Sequence, residues 1–161
     1  MLPSELLRKQ IEEKNNINLE QYAWDKKLKQ QIFSIELDDT IETQATNLKE
    51  IYDHGFNIGH CGLTSRYICR KFDKAKLFYG KANLLIGTAS APNGEHAWTN
   101  INGFIIDTTL MICIPENLAI ELGYAKEKEI APISAKMLSE YDTYDSEFDK
   151  VKQTNNSINK K

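Results

Sequence analysis

Residues 95–109, "EHAWTNINGFIIDTT", read as two short strands joined by an Asn-Gly turn, with a histidine and an aspartate set in largely apolar surroundings. Asn-Gly between two strand-like runs is a strong hairpin signal, because a two-residue type I′ turn needs positive φ at both central positions. A turn at Asn102-Gly103 pairs Ile101 with Phe104. Carried outward, that register sets Trp98 opposite Asp107 and His96 opposite Thr109. Side chains alternate along a strand, so His96, Trp98, Asn100, Ile105, Asp107 and Thr109 share one face. His96 is then diagonal to Asp107, roughly 7–8 Å away at the backbone, a gap the two side chains can bridge with a hydrogen bond. A three-residue loop would reverse the parity, so the pairing depends on the turn.

Working outward, "AKLFYG" (75–80) and "ANLLIGTA" (82–89) predict further strands, punctuated by Gly80 and "SAPNG", so the middle of the chain reads as an antiparallel sheet. Upstream the period changes. "GHCGLTSRYICRKFDK" predicts a helix starting near Cys61, with Cys61, Ser65, Ile68 and Phe72 at i, i+4, i+7 and i+11, and Arg70, Lys71 and Lys74 near its end, where cations suit the dipole. "LDDTIETQATNLKEIYDHG" (37–55) predicts another, with Ile41, Ala45, Leu48 and Tyr52 on one face and Gly55 as its stop. Residues 4–14 and 18–33 also read as helices, as do 115–123 and 134–148.

The expected architecture is therefore α+β in a single domain over residues 1–150: a helical layer (1–54), a core (55–110) and C-terminal helices (111–150). Residues 151–161 read as a polar, disordered tail. At 161 residues and 41% hydrophobic, the chain can bury one core but is short for two.

A net charge of −3 with interspersed signs gives no basic stripe for phosphates or an anionic membrane, so neither nucleic acid nor membrane is an expected partner. "MLPSELLRKQIEEKNN" is charged where a secretory signal would need an apolar run, and no window reaches the length of a membrane span. Cys61, Cys69 and Cys113 are odd in number and lack a CxxC spacing, as expected of free thiols in a reducing compartment. A cytoplasmic location is the expectation, with signal-less export also open.

Aspartate accepting from one imidazole nitrogen fixes the tautomer, frees the other nitrogen and stabilises the imidazolium. Such a pair serves a nucleophile, and Cys61 is the candidate: at a helix head, the dipole and unpaired backbone N–H groups favour thiolate. Cys69, inside the same helix, and Cys113, in apolar "LMICIP", read as packing residues. The alternative for His96 and Asp107 is a polar patch on a solvated sheet face.

With "GHC" at 59–61 followed by "HAWTNINGFIIDTT" at 96–109, the chain resembles the transglutaminase-like branch of the papain-fold cysteine enzymes. The first motif is similar to that family's Gly-x-Cys at the head of its central helix. The second is similar to its His-Ala-Trp, strand, turn, strand, Asp-Pro-Thr segment. The resemblance implies a papain-like fold, with a Cys-bearing helix packed on an antiparallel sheet bearing His and Asp, in which Cys61 is the nucleophile, His96 the general base and acid, and Asp107 its orienting residue. It spans roughly residues 57–109. Gly62 stands where the family usually has a larger residue, and Thr108 replaces the proline.

The expected activity is acyl transfer through a thioester at Cys61, on a peptide or protein amide, with no cofactor and no metal; peptidase, deamidase and transglutaminase-type outcomes share these residues. Asn57 is the candidate second oxyanion donor beside the Cys61 N–H, His60 a candidate for substrate contact, and Trp98 a shield for the His-Asp bond or simply a packing aromatic. Two other readings remain: a non-catalytic peptide-binding module on the same fold, and a zinc site from His54, His60, Cys61 and His96, whose spacing matches no common knuckle.

Overall fold

The computed structural model describes residues 1–37, 45–89 and 91–132. The architecture is α+β, with several helices and one five-stranded antiparallel sheet. Helix α1 (Pro3–Asn15) opens on a proline, whose fixed φ suits a first turn and whose missing N–H would be unpaired there anyway. Helices α2 (Lys26–Phe33), α3 (Leu48–Asp53) and α4 (Cys61–Lys71) follow, then strand β1 (Lys76–Ala82), hairpin β2 (Glu95–Ile101) and β3 (Phe104–Asp107), β4 (Ile112–Pro115), α5 (Glu116–Glu121) and β5 (Tyr124–Ile130). The sheet order is β4-β3-β2-β1-β5.

The hairpin has the register its turn requires. Asn102 and Gly103 have φ of 51° and 84°, and the ladder runs Ile101 with Phe104, Asn100 with Ile105 and Thr99 with Ile106. Alternation then sorts the two faces. Leu77, Tyr79 and Ala97 pack towards Cys61 and Cys69 of α4. Phe78, Trp98, Ile105, Ile112, Ile114 and Tyr124 form the opposite core, closed by Ile11 of α1, Leu19 and Ala119 of α5. On its other side α4 meets Trp24, Ile32, Leu48, Ile51 and Tyr52. Residues 61–69 are accordingly all buried, so α4 is a central helix rather than the one-sided helix its stripe predicts.

Four expectations need correcting. The helix over 18–33 is broken: a short 3-10 turn (Glu20–Tyr22) gives way to extended backbone, where Ala23 bridges Ile112 and the Trp24 N–H donates to the Met111 carbonyl at 2.9 Å. Asp25 then restarts the chain as the N-cap of α2, its carboxylate accepting from the Leu28 N–H. Sheet pairing outcompetes local helical propensity there. The helix over 37–55 is shorter than its pattern: Leu37 N–H donates to the Thr46 carbonyl, Glu36 bridges Asn47, and Asn47 caps α3. Ile41 lies outside the described residues, as do residues 134–148 and the tail.

The run "ANLLIGTA" is not a strand. Asn83–Leu85 form a 3-10 turn whose Leu84 and Leu85 are buried, tethered by the Asn83 N–H on the Gly123 carbonyl. Finally, β4 and β5 add strands beyond the four expected runs. β5, "YAKEKEI", buries only Tyr124 fully, so as an edge strand it shows no alternation to read.

Candidate active site

Cys61 opens α4, and His60 before it has φ −125° and ψ 37°, outside the helix. The His60 carbonyl accepts the Thr64 N–H and hydroxyl, which closes the first turn from the backbone. The first N–H groups of a helix have no intrahelical acceptor, so the Cys61 sulfur lies beside the positive end of a helix. A further donor faces it from the sheet: the Ala97 N–H points at Cys61 Sγ, 3.4 Å away. Cys61 keeps 5% of its surface exposed.

His96 precedes Ala97 on β2 and is 1% exposed; Asp107 ends β3 and is fully buried. His96 Nε2 donates to Asp107 Oδ2 at 2.8 Å, which leaves Nδ1 for Cys61, whose sulfur is near enough to the ring to act on its charge. The hairpin supplies the diagonal placement. Burial alone would depress the imidazole, but Asp107 and Cys61 outweigh it and raise His96 to about 10. Asp107 is held below the ordinary carboxylate value: burial pushes it up, while the His96 charge and the hydrogen bonds from His96, Tyr124 and Leu110 pull it down further.

Asp107 has more to hold than His96. Its Oδ1 accepts the N–H groups of Thr109 and Leu110, both at 2.9 Å, and so builds the turn into β4. Its Oδ2 also accepts the Tyr124 hydroxyl at 2.5 Å. Tyr124 is buried and beside a carboxylate, and both effects push its phenol well above the ordinary value. Its ring centroid is 5.2 Å from Trp98 and 6.3 Å from His96, both edge-on. No spacing in the sequence points to Tyr124, because it reaches Asp107 through pairing of Tyr124 with Ala82 at the β5–β1 edge.

The lesser candidates divide. Trp98 is buried, with its ring 5.9 Å from that of His96 and at 32° to it, so it walls one side of the pair. His60 is exposed at the α4 N-cap, with no side-chain capping bond. Asn57 is a correction: both of its amide hydrogens are taken, one by Ser4 Oγ at 2.6 Å and one by the Thr108 carbonyl at 3.1 Å, so it is not placed to meet an oxyanion. That carbonyl also accepts the Tyr52 hydroxyl at 2.6 Å, and the Thr108 and Thr64 hydroxyls are 2.6 Å apart. Asn57 and Tyr52 thus clamp the segment after Asp107 to the helical layer.

Cys69 is buried and its thiol is pushed up to about 12 by burial, partly offset by Arg66. Cys113 is raised as well, by burial and by Asp25. Among the described residues no group of three or more His, Cys, Asp or Glu side chains is arranged to hold a metal ion, so His54, His60, Cys61 and His96 form no such set. No helix among them is long and apolar enough to cross a membrane.

Comparison with known proteins finds no matching family model, and no curated protein or solved structure that matches significantly.

Proposed function

We propose that this chain is a cysteine-dependent acyl-transfer enzyme of transglutaminase-like, papain-fold type, acting on a peptide or carboxamide bond through a thioester at Cys61. The observation that carries the reading is the buried series of Cys61, His96 and Asp107, with Asp107 2.8 Å from the far nitrogen of the ring that meets the thiol. A histidine held this way presents Nδ1 to the sulfur, and its carboxylate partner favours the imidazolium that forms when the thiol gives up its proton.

In the reaction the Cys61 sulfur forms a bond to the substrate carbonyl carbon, and the carbonyl electron pair moves to oxygen. The Cys61 N–H at the head of α4 faces that oxyanion. Collapse breaks the carbon–nitrogen bond, and His96 Nδ1 gives its proton to the departing amine. Water, or a second amine, then attacks the thioester while His96 takes its proton, releasing the acyl group and restoring Cys61. Hydrolysis and amine transfer differ only in that second nucleophile.

The test is the pH dependence of iodoacetamide alkylation at Cys61, read by mass spectrometry in wild type and His96→Ala. Expected is reaction at neutral pH well above that of a free thiol, lost in His96→Ala. Ordinary thiol behaviour in both proteins removes the activated nucleophile and the reading with it.

A further inference from the structure

We propose that Tyr124 is a positioning residue of this site, sharing the carboxylate oxygen on which His96 rests and so setting how firmly Asp107 holds the imidazolium. The inference rests on the acyl-transfer reading for its purpose, but not for its geometry. Asp107 accepts from the His96 ring and the Tyr124 hydroxyl on Oδ2, and from the Thr109 and Leu110 N–H groups on Oδ1. Each donor spreads the negative charge and makes the carboxylate a weaker base. Tyr124 is the donor that competes with His96 for the same oxygen.

The fold holds this tyrosine with some insistence. β5 exposes Ala125–Glu129 and buries Tyr124 alone among its full set of strongly buried positions, so its first residue is the one that ties it to the core. Before it, Gly123 has φ +94° and faces Asn83 so closely that an added Cβ would meet that side chain at 2.5 Å. Gly123 and the Asn83 N–H on its carbonyl therefore set where β5 begins. The ring packs edge-on against Trp98 and His96 whether or not the hydroxyl is there, so phenylalanine keeps the packing and removes the donor.

The groups that face Asp107 come from every element around it. His96 approaches from β2 with Cys61 of α4 behind it, Tyr124 from β5, and Tyr52 from α3, whose phenol is raised by burial and then by Asp107. Arg8 of α1 is turned elsewhere, to the Leu110 carbonyl at 2.9 Å and Glu20 at 2.8 Å. With Tyr124 sharing Oδ2, the carboxylate grips the imidazolium less tightly, and His96 gives its proton to a leaving amine more readily. Without it, Asp107 is a stronger base towards His96 alone.

The experiment compares wild type with Tyr124→Phe by nitrogen-15 imidazole NMR, with His96 assigned from His96→Gln, alongside the alkylation profile at Cys61. Loss of one hydrogen bond to a charged group should move the alkaline titration of His96 upward by about half a pH unit or more. Tyr124→Leu, which also loses the ring, should lower the melting temperature further than Tyr124→Phe, which loses the hydrogen bond alone. An unmoved His96 midpoint in folded Tyr124→Phe overturns the proposal. A moved midpoint in a protein whose Cys61 alkylates as an ordinary thiol upholds the positioning role and removes the acyl-transfer reading instead.

Discussion

Replacing His96 by glutamine should delete a defined part of the pH dependence of folding. Glutamine can still offer an N–H to Asp107 Oδ2 but does not titrate, so the variant separates the hydrogen bond from the charge. His96 is raised from an ordinary 6.5 to about 10 in the folded chain. A group whose folded value lies above its unfolded value contributes stability that is fully present below pH about 6.5 and lost as pH rises through about 10. Between pH 6 and pH 8 the linkage relation applied to those two values gives a loss of about 2 kcal/mol. Asp107 is shifted the other way, so its contribution is present above its ordinary value of 3.8, constant across this window, and lost only as pH falls through its folded value. Both proteins in this comparison carry Cys61→Ser, because a proton passed from that thiol to the ring would leave the folded proton count unchanged and hide the effect; Asp107, the larger of the two charges that raise His96, remains. His54 and His60 are exposed and common to both proteins, so they cancel in the difference. Urea unfolding at pH 6, 7 and 8 with reductant should show the advantage of Cys61→Ser over Cys61→Ser with His96→Gln shrinking by about 2 kcal/mol, on the linkage argument above. Parallel stability curves for the two proteins would refute the charged, buried pair.

Asp107→Asn leaves an oxygen for the Thr109 and Leu110 N–H groups but no acceptor for both His96 and Tyr124; urea unfolding should show a loss of about 3–5 kcal/mol, as when one partner of a buried pair is removed. Tyr52→Phe withdraws the hydroxyl from the Thr108 carbonyl but leaves the Asn57 bond to it, so denaturation should show a cost of about 1–2 kcal/mol. Gly80→Ala would drive a Cβ into the Ala125 carbonyl oxygen, a backbone atom of the paired strand. Hydrogen exchange should then show β5 losing protection before β2 and β3, with the Tyr124 bond to Asp107 weakened along with it.

What could be read early was whatever depends on local chirality and period. Asn102-Gly103 dictates a turn, the turn dictates parity, and parity puts His96 and Asp107 on one face; Cys61 at a helix head follows from the stripe of Cys61, Ser65, Ile68 and Phe72. The break at Ala23-Trp24, by contrast, is made by a backbone acceptor on Met111, far along the chain; within residues 18–33 only Asp25, the N-cap of the restarted helix, signals it locally. The seven residues of β5 show no period because both of its faces are exposed from Ala125 to Glu129, leaving no buried side to alternate with.

By itself, then, the sequence determined the hairpin that sets His96 and Asp107 on one face and the helix headed by Cys61, because each rests on interactions within a few residues. Tertiary structure alone decided what surrounds them: that Asn57 spends its amide on Ser4 and Thr108, that a backbone N–H from Ala97 points at the sulfur, and that Tyr124 shares the carboxylate with His96. Those contacts join segments that are distant in the chain, and only strand pairing and core packing bring them within hydrogen-bonding distance.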